Sequence, residues 1–151
     1  MANTQAMCTS FKGELLVGHH NFGTGVIRAA TTIDSFKAAL FLASATINAS
    51  TTAYSTTGEV TGTNYTAGGV AVTFGTAPST SGTTAFVTPS ASITYTNVTL
   101  STAFDCVLLY NSTQSNKAVS VHTFGSQTVT VGTFTLTMPT NDASTGLIRL
   151  A

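Results

Sequence analysis

From residue 33 onward, short runs of Val, Ile, Phe, Tyr and Thr alternate with clusters of Gly, Ser, Asn and Pro. That is the pattern of brief strands separated by turns. Strands are predicted over 35–43, around 59–60, and over 70–74, 85–87, 92–95, 106–110, 117–124, 127–131 and 133–138, with 146–151 closing the chain. In Ala118–Phe124, Val119, Val121 and Thr123 alternate with Ser120, His122 and Phe124, as in a half-buried antiparallel strand. Gly132 then divides TVTV from TFTLTM, where Phe134 and Leu136 alternate with Thr. Asn111–Ser115 is a polar connection of hairpin length, and Thr66–Gly69 supplies the positive-φ positions that a tight turn requires. No helical pattern separates successive strands, so the expected class is all-β: an antiparallel β-sandwich or a jelly-roll-like barrel.

The start of the chain has a different period. Residues 10–17 read as a short helix capped by Thr9 or Ser10, with Glu14 near the first turn and Phe11 and Leu15 on one face. Residues 1–9 read as an uncharged N-terminal arm. At 151 residues the whole chain, 1–151, fits a single domain. The stretch 49–69 is Ser/Thr/Gly-rich and longer than an ordinary connection, so it is either a functional surface loop or a pair of ragged edge strands.

Composition sharpens the picture through what is missing. Charged residues are 7% of the chain, five Lys+Arg against five Asp+Glu, while 32 Thr and 15 Ser fill the polar positions. Thr favours the pleated backbone and wets a surface without charge. Zero net charge leaves no electrostatic footprint for nucleic acid, and the longest apolar run, Ala38–Ala45, is far too short to cross a bilayer. The N-terminus lacks the basic start and apolar run of a secretory signal, so the expectation is a protein either made and kept inside a cell or already processed, with the initial Met favouring the first. So few charges also suit a protein that works docked in an assembly.

Candidate chemistry is sparse. Glu14, Asp34, Glu59, Asp105 and Asp142 are scattered singly, and no nucleophile elbow, phosphate loop or zinc-protease motif occurs, so no enzyme activity and no cofactor are expected. His19 and His20 could join His122 at a metal if the fold brought them together, but neighbours in extended backbone point to opposite faces, which makes joint ligation awkward. A turn with one satisfied and one exposed histidine is the better reading. Cys8 and Cys106 lack metal or redox spacing, and Cys106, in FDCVLLY, reads as a buried hydrophobe. Tyr54 and Tyr65 in the polar stretch suit a protein interface, with sugar stacking as the alternative.

The runs SFKGELLVGHHNFG (10–23), TTAYSTTGEVTGTNYTAGG (51–69) and YNSTQSNKAV (110–119) resemble a family of small virion-associated structural proteins of tailed bacteriophages. The resemblance extends over nearly the whole chain. It implies a non-enzymatic capsid decoration or cement protein on the exterior of the virion, synthesised in the host cytoplasm. Its partners would be the major capsid protein and copies of itself, as a trimer or dimer, with neither nucleic acid nor membrane. The alternative is a tail, baseplate or fibre-associated module that binds receptor or glycan. Candidate contacts are Asn3, Thr4 and Gln5 on the arm, and Tyr54, Asn64 and Tyr65 on the polar stretch. Removal of residues 1–9 is then expected to abolish particle binding and leave the fold intact.

Overall fold

The computed structural model describes residues 3–8, 10–11, 15, 19–20, 22–23 and 33–150. Its strands are β1 (Ala6–Met7), β2 (Phe36–Leu42), β3 (Val70–Val72), β4 (Ser79–Ser81), β5 (Thr84–Val87), β6 (Ile93–Asn111), β7 (Lys117–Leu136) and β8 (Ile148–Leu150). They form a five-stranded sheet in the order β1-β7-β6-β2-β3 and a three-stranded sheet in the order β4-β5-β8. Every pairing is antiparallel. The all-β antiparallel class follows from the Thr-, Val- and Phe-rich alternation. Of the helix expected over 10–17, Ser10, Phe11 and Leu15 are described and are helical, and its other positions lie outside the described residues. Phe11 is fully buried, edge-on to Phe22 and His20.

Two strands dominate. The segments expected separately at 92–95 and 106–110 are one strand, β6, and those expected at 117–124, 127–131 and 133–138 fuse into β7. At about 3.3 Å per residue, 19 residues would extend roughly 60 Å, whereas a chain of this size packs into a body roughly 40 Å across. The ribbon must therefore bend. Residues 101–103 of β6 face only residue 128 of β7, and residues 124–126 of β7 face only residue 105 of β6. Such bulges bend a strand and increase its twist. The far end then lies back on the near end: Tyr95 Oη donates to the Ala38 carbonyl of β2 at 2.8 Å. Ile93 and Leu136 share a cavity of about 140 Å³ with Val107, Leu109 and Phe124. Phe134 completes the contact, 5.1 Å from Phe104 and 5.3 Å from Phe124 between ring centroids.

Burial along β6 reports the same geometry. Outer residues 93–100 keep an in–out alternation, but Cys106–Asn111, between β7 and β2, are buried on both faces. This is why FDCVLLY carries a continuous apolar run. Cys106 has no exposure, and burial, helped by neighbouring Asp105, pushes its thiol up to about 12. Ser115 and Asn116 supply the positive φ that closes the hairpin at the expected polar connection.

The N-terminal segment differs from the free arm that the sequence suggests. β1 pairs with β7 at Ala6↔Val121 and Met7↔Ser120, and Thr4 N–H donates to the Ile47 carbonyl at 3.2 Å. The Asn3 side-chain amide donates to the Leu42 carbonyl and to Asp105, and its oxygen accepts from Ile47 N–H. Residues 3–8 are thus built into the fold, and truncation at residue 9 would remove a strand pair and three bonds of Asn3. The reason is chemical: an uncharged polar segment can satisfy backbone groups at a sheet edge as readily as it can stay solvated.

Phe104 is the fully buried ring beneath the fold-back. Phe104→Ala is expected to lower unfolding free energy by about 3–5 kcal/mol, read from urea denaturation with little change in slope.

Candidate interaction surface

The Ser/Thr/Gly-rich stretch 49–69 is an irregular strap laid along the five-stranded sheet. Three isolated bridges tie it down: Ala53↔Lys117, Phe41↔Glu59 and Thr63↔Thr99. Two glycines permit the close approach. A side chain at Gly62 would stand 2.0 Å from the Thr99 carbonyl oxygen, and one at Gly69, where φ is +70°, would stand 1.7 Å from that of Ala38.

Beneath the strap, Glu59 is 6% exposed. One carboxylate oxygen accepts from Tyr54 Oη at 2.6 Å, and the other from Tyr65 Oη and Gly68 N–H, each at 2.8 Å. Tyr65 Oη in turn accepts from Leu40 N–H at 3.0 Å, and Tyr110 Oη donates to the Gly68 carbonyl at 2.8 Å. Tyr54 stacks on Tyr110 at 4.6 Å and Tyr65 on Tyr95 at 5.9 Å. All four tyrosines of the chain are gathered around this acid. Burial first, then the contact with Glu59, raises the Tyr54 hydroxyl well above its usual range. Burial likewise raises Tyr65, and Tyr110 is pushed up to about 12 by burial and by Glu59. The four hydroxyls remain protonated donors throughout the neutral range. The residues of TTAYSTTGEVTGTNYTAGG and of LLYNSTQSNKAV therefore meet at one buried acceptor.

Tyr54 and Tyr65, expected as exposed contacts, are half-buried and use their hydroxyls inside the strap. Asn64 is exposed as expected, with φ +59° and its amide donating to the Asn97 carbonyl at 2.8 Å. Thr4 and Gln5 are exposed beside β1, and Asn3 is bonded inward. The strap's outward face carries the exposed side chains of Thr52, Thr57, Thr61, Thr63 and Thr66. Next to it, a groove of about 470 Å³ has Phe41 and Leu108 among its apolar lining and Ser44, Thr46, Thr51, Ser55 and Thr57 among its polar lining. This arrangement offers hydroxyl donors and acceptors on a held backbone, without charge, which suits contact with another protein surface.

A second cleft, about 400 Å³, lies between β1, β7 and β8 and is lined by Gln5, Met7, Ser120, His122 and Arg149 among others. Ser120 and His122 share a face of β7, with Oγ and Nε2 2.8 Å apart. The alternation puts Ser120 on one face with His122 and Phe124. Ser120 is 3% exposed because β1 covers it. The two-residue spacing on an expected strand was the available signal. Burial lowers His122 from its ordinary value to about 4, so it is a neutral acceptor at pH 7.

The histidines are dispersed. His20 is buried, its Nδ1 3.1 Å from Asn111 Nδ2, which also donates to Asp34. His19 Nδ1 is buried without a hydrogen-bond partner. Among the described residues no three His, Cys, Asp or Glu side chains are grouped to hold a metal, and no helix is long and apolar enough to cross a membrane. Comparison with known protein families, curated proteins and solved structures finds no match to the chain.

Glu59→Ala leaves two tyrosine hydroxyls and the Gly68 N–H without their acceptor; we expect a loss of about 3 kcal/mol or more in stability and faster proteolysis within 49–69. Glu59→Gln, which keeps one acceptor oxygen, should cost about half as much. His122 supplies a pH dependence. Its folded value is depressed, so between about 6.5 and about 4 the unfolded chain binds a proton that the folded chain does not. Stability contributed by neutral His122 is present above pH 6.5 and declines as pH falls through that window. Asp142, held near 2 by hydrogen bonds from Thr145 and Ser144, titrates below it. Urea midpoints from pH 7.5 to 4.5 should fall for the wild type and flatten in His122→Asn.

Proposed function

We propose that this protein is a non-enzymatic structural component of a phage virion, a decoration or cement protein that binds the major capsid protein across subunit junctions on the outside of the shell. The observation that carries the reading is the strap: an irregular 21-residue segment pinned from within by Glu59 and turned outward as an uncharged hydroxyl surface. Long irregular segments in small domains are uncommon and often functional, and a surface ordered before contact loses less entropy on docking. Repetition over a lattice then multiplies modest contacts. The resemblance of 10–23, 51–69 and 110–119 to virion proteins supports the same conclusion. Two antiparallel sheets and a doubled ribbon support the β-sandwich or jelly-roll-like architecture of that reading.

The tail or fibre module that binds glycan loses its main support. The rings meant to stack on sugar lie against Tyr110 and Tyr95 instead, with their hydroxyls on Glu59.

Incubated with shells of the cognate major capsid protein and pelleted, the protein should bind saturably, at a stoichiometry set by the lattice axes. Thr61→Arg and Thr66→Arg, exposed on the strap, should weaken binding at least about tenfold with unchanged thermal unfolding. Absence of binding to intact shells, together with retention on a glycan array, would move the protein to the tail.

A further inference from the structure

β6 pairs along one edge of β7, but on the other edge β1 covers only Ser120 and Val121. From Phe124 to Leu136 that edge has no strand partner among the described residues. A long open edge is a template for strand addition, and proteins ordinarily blunt it with Lys, Pro, bulges or shortness; of these devices this edge carries only bulges, at 124–126 and 130–131. Here there is no Asp, Glu, Lys or Arg between Lys117 and Asp142, and the first proline, Pro139, lies beyond the strand.

The second of these bulges sits at the middle of this edge. Val131 is 72% exposed, the most exposed large hydrophobic side chain among the described residues. Its φ is +45°, in the left-handed region that β-branched residues avoid. Its N–H is taken by Thr99 Oγ1 at 3.2 Å, and the bulge that flips it out lies opposite Thr99. Backbone strain that holds an apolar side chain in water persists where the surroundings impose it and often marks a site of contact.

We infer that the 124–136 edge of β7 docks on the same edge of a second copy of this chain, the two strands adding antiparallel across a twofold axis near Val131. The occupant follows from symmetry. When an edge pairs antiparallel with itself, residues near its centre meet their own copies, so any charge there would face a like charge. This edge carries none, and its central side chain, Val131, would be covered by its own copy. The inference deepens the expectation that the chain partners copies of itself by naming the edge they would share, and it is tested on the protein alone.

Size exclusion with light scattering over a dilution series should give twice the 15.4 kDa chain mass. Val131→Lys and Thr133→Lys should each weaken the dimer at least about tenfold, since an edge lysine is the usual protection against such pairing. Cys8 and Cys106 are buried, so mild oxidation of Val131→Cys should yield a disulfide-linked dimer while Ser81→Cys, on exposed β4, stays uncrosslinked. The crosslink keeps the test decisive should the lysine variants fold poorly. A monomer at all concentrations overturns the inference, and so does a dimer unaffected by either lysine and uncrosslinked by Val131→Cys. A monomer whose 126–136 amides exchange slowly would assign the edge to another part of the same chain. None of these outcomes depends on shell binding, which is scored separately by pelleting.

Discussion

The length of the β6–β7 ribbon is the constraint from which most of the molecule follows. Strands of 19 and 20 residues cannot lie straight in a body of this size, so the hairpin has to turn over on itself. Offsetting bulges around Leu100–Cys106 and Gly125 provide the bend, and Phe104, Phe124 and Phe134 fill the space it creates. The near half of the ribbon becomes the buried centre of a five-stranded sheet. The far half becomes its cover, and β7 keeps one edge without a strand partner among the described residues beyond Val121.

The strap depends on a different kind of interaction. Polar sequence of this length has too few apolar side chains to hold itself by burial, so its order comes from backbone bridges to the sheet at Ala53, Glu59 and Thr63 and from one acid that accepts three hydrogen bonds under cover. Bonds to a charged acceptor are stronger than neutral ones, and leaving their donors unpaired inside the protein is costly. The chain's scarcity of charge makes that carboxylate conspicuous: one of two glutamates in the sequence is spent in the interior.

The surface follows from the same economy of charge. Thr supplies β-propensity, hydration and hydrogen bonding together, so both the strap and the ribbon edge can meet another protein without stripping water from ions. The proposed contact with a shell and the inferred contact between copies use separate parts of the molecule, the strap and the β7 edge.

The all-β antiparallel class, the hairpin connection at 111–115, the glycine turn at 66–69 and the burial of Cys106 are legible in the sequence, because alternation, turn residues and apolar runs are local properties of the chain. Tertiary structure decided the rest. The fusion of 92–95 with 106–110 across a bulge depends on a partner strand far along the chain. Whether residues 3–8 swing free or pair with β7 depends on which edge is open to them. Whether Tyr54 and Tyr65 face solvent or Glu59 cannot be read from spacing, since a tyrosine with an apolar ring and a polar tip suits either place. The Glu59 cluster joins residues from 54 to 110, and a hydrogen bond across that separation leaves no periodic trace in the sequence.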